Sequence, residues 1–337
     1  MFITIDTGTT NTRVALFNAT QQRIDIVKSD VGVKNTSIDG HNQSLVAAIA
    51  HAVKQLKQRH RLSDNDIDII IGSGMLTSNL GLVEVPHLVA PVSLANFSTS
   101  IRAVSLPEIA NQPIYLIPGV KNIDVAAEHD DSPTNPPLNL DIMRGEEVET
   151  VAIAERYDIQ QNAIIALPGS HSKFVAIDAQ RTILGCCTTM AGELNAIVTH
   201  HTILTGSLEN RFSDTLCVTS LNAGYQEAEQ YGFGKALFSI RLNEQFRHWE
   251  HAQLASFLVG VVLQSDVQAL TQFPALQYTP ETPIYVGGKG LLCEATAEIF
   301  KRQLPNEVYC CNDIDDLSAI GALRIAEQAG LIPSQMS

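Results

Sequence analysis

The chain has 337 residues, of which 45% are hydrophobic and 17% charged, and its net charge is −14. This length predicts two lobes of about 150 residues each. The composition is typical of a soluble globular protein, and the negative charge argues against a nucleic-acid partner, whose polyanionic backbone would be repelled.

The N-terminal segment enters directly into the strand pattern Phe2-Ile3-Thr4-Ile5, without a basic stretch followed by an apolar core. No apolar run reaches the roughly 20 residues that a membrane helix needs. We therefore expect no secretory signal, no membrane partner and a cytoplasmic location. The six cysteines form no C-x-x-C pair, which predicts reduced and mostly buried thiols.

The first part of the chain reads as an α/β lobe over residues 1–140. Short alternating runs near 2–5, 13–18 and 23–29 predict an antiparallel meander. Helical spacing follows over 41–59, and apolar strands are predicted at 67–71 and 114–117, with a helix-poor stretch between them. The segment 128–140, rich in acidic residues, Pro and Asn, is predicted to be a loop.

The same order of elements then begins again and predicts a second α/β lobe over residues 141–337. Strands are expected at 163–167, 174–177 and 182–189, and a helix at 192–201. A mainly helical stretch over 221–272, a strand at 283–286 and an amphipathic helix at 316–328 complete the chain. Two copies of one plan would leave a cleft between them.

Two strand–turn–strand segments have the residues of phosphate-binding hairpins. In the first, Asp6-Thr7-Gly8-Thr9-Thr10-Asn11 is followed by Thr12-Arg13, and in the second Gly169-Ser170-His171-Ser172-Lys173 follows a strand. A glycine turn lets backbone N–H groups converge on an anion, and an acidic residue at a strand end can hold Mg²⁺ through water. Either segment alone could be an ordinary polar turn.

A third segment, Tyr285-Val286-Gly287-Gly288-Lys289-Gly290, passes from a strand into a helix through three glycines. Glycine allows a flat ligand such as adenine to approach the backbone. The spacing is not that of a P-loop, and a plain strand-to-helix turn is the alternative interpretation.

In this order, the three segments resemble the phosphate-1, phosphate-2 and adenosine motifs of the actin-like ATPase superfamily, which includes actin and hexokinase. The runs Ile71-Gly72-Ser73-Gly74-Met75 and Asp316 to Ala322 resemble its two connecting motifs. The runs Gly72 to Gly81, Met143 to Glu147 and Leu167 to Phe174 further resemble the 2-dehydro-3-deoxygalactonokinase family, over essentially the whole chain.

That resemblance implies two ribonuclease H-like lobes and transfer of the ATP γ-phosphoryl group to 2-dehydro-3-deoxy-D-galactonate, giving the 6-phosphate. ATP and Mg²⁺ are the implied cofactors, with Asp6 holding Mg²⁺ through water. The implied phosphate contacts are Gly8, Thr9, Thr10, Asn11, Arg13, Gly169, Ser170, His171, Ser172 and Lys173, and the adenosine contacts are Gly287, Gly288, Lys289 and Gly290.

Phosphoryl transfer also needs a carboxylate to orient or deprotonate the attacking hydroxyl. In related sugar kinases a Gly-Asp-Gln run at a helix start provides it, and here Gly145-Glu146-Glu147 occupies the comparable place. Glu146 is our candidate base and Glu147 the second choice. Both glutamates could instead only stabilise the helix N-terminus.

The acceptor is a small sugar acid, and its carboxylate could pair with Arg144 through a two-pronged contact. Arg144 could equally pair with Glu147 or Asp141. Further candidate sugar contacts follow the strand at 67–71, where loops commonly face a ligand crevice; they are Ser73, Met75, Ser78 and Asn79.

Three rival functions remain at this level. One is a kinase of the same fold acting on another sugar or sugar acid, because the ATP motifs do not encode the acceptor. A second is a non-catalytic protein that uses nucleotide as a switch for assembly, and a third is a phosphatase. The sequence is silent on oligomeric state, and a homodimer is left open.

Overall fold

The computed structural model describes residues 1–123 and 139–334. Its strands are β1 (Phe2–Thr7), β2 (Thr12–Phe17), β3 (Arg23–Ser29), β4 (Ile69–Gly74), β5 (Leu88–Val89), β6 (Arg102–Val104), β7 (Ile114–Leu116), β8 (Val120–Asn122), β9 (Asp141–Met143), β10 (Ala163–Leu167), β11 (Ser172–Ile177), β12 (Ile183–Thr189), β13 (Ile284–Gly287) and β14 (Val308–Cys311). The helices are α1 (Val33–Asp39), α2 (Gln43–Arg59), α3 (Leu94–Ser100), α4 (Glu146–Arg156), α5 (Ala191–His201), α6 (Val218–Tyr231), α7 (Phe233–Arg247), α8 (His251–Gln272), α9 (Leu291–Gln303) and α10 (Leu317–Gln328).

Two sheets repeat one topology. The first has the order β3-β2-β1-β4-β7-β6 and the second β12-β11-β10-β13-β14. In each, the opening three strands form an antiparallel meander, and the central strand then pairs in parallel with the next. The predicted structural repeat is confirmed.

Apolar patterning explains how each sheet is covered. On α2, Leu45, Ile49, Val53 and Leu56 recur every three or four residues, and all four are buried beside β2 and β3. The central strand β10 is buried at every position, as a strand covered on both faces should be.

Helices α4 and α10 pack against each other between the two sheets, and α10 also contacts β1 and β4. One hydrophobic cluster therefore joins Phe2 and Ile71 of the first sheet, Val175 of the second, and Leu323 of α10. Since a helix from the end of the chain packs on the first sheet, the predicted boundary at residue 140 stays a prediction.

A small third sheet, β5-β8-β9, connects the first part of the chain to the edge of the second sheet. The Asn122 side chain donates to the Cys186 carbonyl at 2.6 Å and accepts from its N–H at 2.9 Å. The Thr188 N–H donates to Asp141 at 2.7 Å. Of these strands, β5 lies, together with α3 and β6, in the stretch between β4 and β7 where the sequence predicts few helices.

Several smaller predictions concern the rest of the chain. All six cysteines are free, and four of them are buried. In the part of the chain that the structure describes, helix α8 alone is long and apolar enough to cross a membrane, but 72% of its apolar window is buried inside the protein, as in a core helix. The predicted loop at 128–140 lies, except for its last two residues, outside the described residues.

Candidate active site

A cleft of about 970 Å³ lies between the two sheets, and most of the predicted site residues line it. These are Asp6, Gly8, Thr9, Arg13, Met75, Ser78, Asn79, Arg144, Glu146, Gly169, Ser170, His171, Lys173, Gly287, Gly288 and Lys289. The fold thus brings together groups that are up to 283 residues apart in the sequence.

The remaining candidates do not line this cleft: Thr10, Asn11, Ser73, Glu147, Ser172 and Gly290. Thr10 and Asn11 are exposed at the end of the first hairpin, where the Asn11 amide donates to the Thr10 hydroxyl at 2.9 Å. Ser73, Glu147 and Ser172 are buried. Their roles stay predictions.

The first hairpin joins β1 to β2 and is closed by a bond from the Gly8 N–H to the Asn11 carbonyl at 2.8 Å. The start of α1 supports it from behind, since the Lys34 N–H donates to the Thr9 carbonyl at 2.9 Å. Gly32 makes this approach possible, because a Cβ there would lie 2.5 Å from the Thr9 oxygen.

The second hairpin joins β10 to β11 and is supported in the same way by the start of α5. The N–H groups of Gly192 and Glu193 donate to the carbonyls of Gly169 and Ser170, at 3.1 and 3.0 Å. The Glu193 carboxylate also lies 2.9 Å from Nε2 of His171. The two hairpins therefore have equivalent supports.

Side chains alternate along β11, and this places Ser172 and Lys173 on opposite faces of the sheet. Ser172 shares its face with Phe174, in the cluster beside α8, whereas Lys173 shares its face with Val175, in the cluster between the sheets. The Lys173 ammonium donates to the Ile142 carbonyl at 2.7 Å and to the Thr188 hydroxyl at 2.6 Å.

Below Ser172 lies a buried acid that the sequence did not single out. Asp266 of α8 is 1% exposed, and burial raises its pKa to about 6, while the hydroxyls of Thr189 and Ser172 partly oppose that rise. An aspartate in an apolar helix carries no local signal of such a role, so only the packing of α8 on β11 and β12 identifies it.

The glycine junction after β13 separates the cleft from a second cavity of about 370 Å³. Gly288 has φ of +111°, a conformation that favours glycine, and Lys289 forms an ion pair with Asp315 at the start of α10. The second hairpin and helices α5 and α8 line the second cavity, and the helices contribute Asn195, Ser256 and Val259 to its lining. Sequence reasoning missed these helix residues, which have no motif.

Carboxylates crowd together where α4 meets β1. Glu146 and Glu149 line the cleft one helical turn apart, beside Asp6. Burial, and then the charges of Asp6 and Glu146, raise the pKa of Glu149 to about 7. Burial likewise raises the pKa of Asp6, against the effect of Arg13, whose guanidinium lies 3.4 Å away. The prediction had missed Glu149.

The two predicted acids at the start of α4 differ in burial. Glu146 lines the cleft and accepts from the Arg144 N–H at 3.1 Å, whereas Glu147 is completely buried and accepts from the Gly145 N–H at 2.7 Å. Burial and the Glu146 charge raise the pKa of Glu147 to about 8. Of these two glutamates, Glu146 is the one that can meet a ligand in the cleft.

The terminal N–H groups of Arg144 form hydrogen bonds with other residues of the protein. It donates to the carbonyls of Thr77 and Val85 at 2.7 and 3.0 Å, to the Thr77 hydroxyl, and to Nδ1 of His87 at 3.2 Å. Burial, followed by the nearby positive charges, lowers the pKa of His87 to about 4, so this imidazole is neutral. Arg144 therefore holds the segment that follows β4 against α4.

The chain is similar to a known protein family and to several solved structures. A family model described as 2-keto-3-deoxy-galactonokinase matches residues 6–324. No curated protein sequence matches the chain. Among solved structures, one from Sinorhizobium meliloti, described as a candidate 2-dehydro-3-deoxygalactonokinase, matches with a TM-score of 0.73 and 19% identity over 97% of this chain and 98% of that one.

Two more distant structures share the fold. Component A of (R)-2-hydroxyglutaryl-CoA dehydratase from Acidaminococcus fermentans matches with a TM-score of 0.53 and 9% identity, covering 97% of this chain and 98% of that one. The activator of 2-hydroxyisocaproyl-CoA dehydratase from Clostridium difficile, with bound ADPNP, matches with a TM-score of 0.50 and 8% identity, covering 100% and 99%. The predicted actin-like ATPase fold is confirmed.

Proposed function

Since this chain belongs to the 2-keto-3-deoxy-galactonokinase family, we propose that ATP and the sugar acid meet in the cleft between its two sheets, with Glu146 as the base. The names 2-keto and 2-dehydro denote the same oxo group, and the enzyme phosphorylates this sugar acid with ATP. The observation that carries the proposal is that both hairpins and the acidic start of α4 line one cavity.

The nucleotide phosphates would lie between the hairpins, where Gly8 and Thr9 face Gly169 and Ser170 across the cleft. Backbone N–H groups in such turns bind anions without needing a basic protein. The adenosine would occupy the adjoining 370 Å³ cavity, which shares Pro168, Gly169, Ser170, Lys289 and Cys293 with the cleft.

The residues of the cleft suit a magnesium ion bound together with nucleotide. Asp6, Glu146 and Glu149 carry the kind of oxygen ligand that Mg²⁺ prefers. Burial, and after it the repulsion between these carboxylates, raises the pKa values of Asp6 and Glu149, and a cation would relieve that repulsion. Among residues 1–123 and 139–334 no three acidic, His or Cys side chains are arranged as a complete metal site. We therefore expect one or two carboxylates, water and ATP phosphates to hold the ion, which would neutralise phosphate charge.

In the proposed reaction, the terminal hydroxyl of the sugar acid forms a bond to the γ-phosphorus as the bond to the ADP oxygen breaks. The hydroxyl proton passes to the Glu146 carboxylate. Glu146 accepts only from the Arg144 N–H in the described part of the protein, which leaves acceptor capacity directed to the cleft. The product would be the 6-phosphate.

A panel of acceptors tests this function. We expect ATP-dependent ADP release with 2-dehydro-3-deoxy-D-galactonate to exceed the ATPase background by orders of magnitude, and mass spectrometry to place one phosphoryl group at C6. Turnover of a different sugar or sugar acid, with none of this substrate, would contradict the proposed acceptor. Nucleotide-dependent pelleting without transfer to any acceptor would contradict catalysis.

Location and assembly belong to the same proposal. A cytoplasmic location suits an ATP-using enzyme with six free thiols, because reducing conditions keep such thiols free. Cell fractionation tests it, and light scattering after gel filtration tests whether a homodimer forms.

A further inference from the structure

The acceptor carboxylate needs a positively charged partner among the charged side chains that line the cleft. Asp6, Glu146 and Glu149 all lie at the end where the proposed chemistry occurs, and they would repel a second anion. The acid must therefore be oriented with its carboxylate away from them. The cationic side chains that line the cleft decide where that carboxylate can bind.

Most of these cations already have partners. Arg13 pairs with Asp6, and Lys289 pairs with Asp315. The terminal N–H groups of Arg144 donate to Thr77, Val85 and His87, so a two-pronged contact with substrate would require breaking those bonds. Lys28 lies exposed on β3, across from Arg13, on the wall of the first sheet.

Lys173 differs from all of these. It is 7% exposed and lines the cleft, yet no carboxylate of the described residues lies within ion-pair distance of its Nζ. Its two acceptors, the Ile142 carbonyl and the Thr188 hydroxyl, are neutral, and the Asp141 carboxylate is linked to Lys173 through that hydroxyl, which donates to it. An ammonium has three N–H donors, so one remains for a ligand.

Lys173 also lies near the segment that carries the candidate base. Its contact residue Ile142 is four residues before Glu146, and both Ile142 and Glu146 line the cleft. One ligand in the cleft can therefore approach both sides of this short segment.

We propose that the Lys173 ammonium binds the carboxylate of the sugar acid and thereby selects acids over neutral sugars. This assignment rests on the proposed function. It moves Lys173 from the phosphate contacts, where its sequence motif had placed it, to the acceptor side of the cleft. The sheet alternation that turns Lys173 toward β9 is the reason.

The test compares the acid with its primary amide, which has nearly the same shape and no charge. We expect Lys173→Met to raise KM for the acid by about 10- to 100-fold, the range for a hydrogen bond to a charged group, and to change KM for ATP less than about twofold. With the amide, the variant and the wild type should have similar KM values. Lys173→Gln is the second variant, because its amide can still donate to Ile142 and preserve folding.

Two lysines serve as controls. Lys121→Met removes a charge from the neighbouring strand β8, outside the cleft lining, and should leave the kinetics unchanged. A rise in KM for ATP in the Lys173 variants would show that Lys173 binds the ATP phosphates. An equal rise in KM for the acid and for the amide would indicate that Lys173 has only a structural role. A rise in KM for the acid but not for the amide in Lys28→Met would show that the substrate carboxylate binds at the first sheet instead. Each of these three results overturns the proposal. Failure of the wild type to use the acid would instead overturn the proposed function.

Discussion

The three glutamates at the start of α4 differ in what surrounds each carboxylate. Glu146 faces the cleft, Glu147 is completely buried, and Glu149 accepts from the Ser318 hydroxyl at 2.9 Å beside Asp6. The sequence places all three in the first helical turn, where the helix dipole favours negative charge. Which of them can meet a substrate depends on the packing of α4 against α10, and no local pattern encodes that.

Replacing Glu146 by Gln should lower kcat by about 10²-fold or more, because the amide cannot accept the hydroxyl proton. KM for ATP should stay within about threefold of wild type, since the hairpins remain in place. Steady-state kinetics with saturating sugar acid measures both values. Near-normal turnover would remove Glu146 from the role of base.

The stability of the protein should depend on pH through Glu147. Its pKa rises from 4.5 to about 8 on folding, so between these values the folded state binds more protons than the unfolded state. The free energy of unfolding then falls as pH rises through this window. The side chain at position 147 in Glu147→Gln cannot ionise. Between about pH 5 and pH 8, we therefore expect the Tm of this variant to fall by roughly 5 °C less than the Tm of wild type falls.

Glu108→Gln is the matched control, because Glu108 is exposed on the surface and its loss should leave the pH dependence of Tm as in wild type. Parallel Tm curves for wild type and Glu147→Gln would show that the buried carboxyl does not control this dependence.

At the level of strands and helices, each of the two hairpins is held by the helix that follows its meander. The start of α1 supports the first hairpin, and the start of α5 supports the second. Glycines at these contacts, Gly32 and Gly192, allow backbone to approach backbone. The strands and turns of both hairpins follow from alternation and turn residues, so the sequence predicts them, but their supports come from residues more than 20 positions away from each turn.

Gly32→Ala should displace the first hairpin, because the added Cβ would lie 2.5 Å from the Thr9 carbonyl oxygen. Overpacking of this kind costs about 1–3 kcal/mol. We expect KM for ATP to rise on the order of tenfold, and Tm to fall. Gly234→Ala in α7 is the control, since its Cβ would have no neighbour within 4 Å, and a helical alanine should be neutral or stabilising. An unchanged KM in Gly32→Ala would show that the hairpin tolerates the shift.

At the scale of the whole molecule, α4 and α10 form the contact layer between the sheets. They cross where Gly321 lies directly against the Val148 backbone, and a Cβ at position 321 would overlap the Val148 carbonyl oxygen. The cleft lies above this crossing, with Glu146, Glu149 and Ser318 facing it. The two helices therefore hold both sheets at the spacing that forms the cleft.

Gly321→Ala should force α4 and α10 apart and destabilise the protein by about 3 kcal/mol or more, beyond the usual cost of overpacking. The denaturant midpoint should fall, and turnover should fall with it, because both lobes lose their spacing. Ile320→Ala, at the neighbouring and partly exposed position on the same helix, should cost less than about 1 kcal/mol. Equal midpoints for the two variants would contradict the role of the crossing.

Local sequence patterns specify the two meanders, the glycine turns and the acidic start of α4, together with their order along the chain. These features depend on alternation, helical spacing and turn chemistry, which act over a few residues. Their order along the chain was also enough to predict the repeated topology and the family.

Tertiary packing selects which side chains of those segments face the cleft. It turned Ser172 toward Asp266 and Lys173 toward β9, buried Glu147, committed Arg144 to carbonyl groups, and added Glu149 to the site. The physical reason is that the orientation and the partners of a side chain depend on contacts between distant segments, and these form only when both sheets pack on α4 and α10.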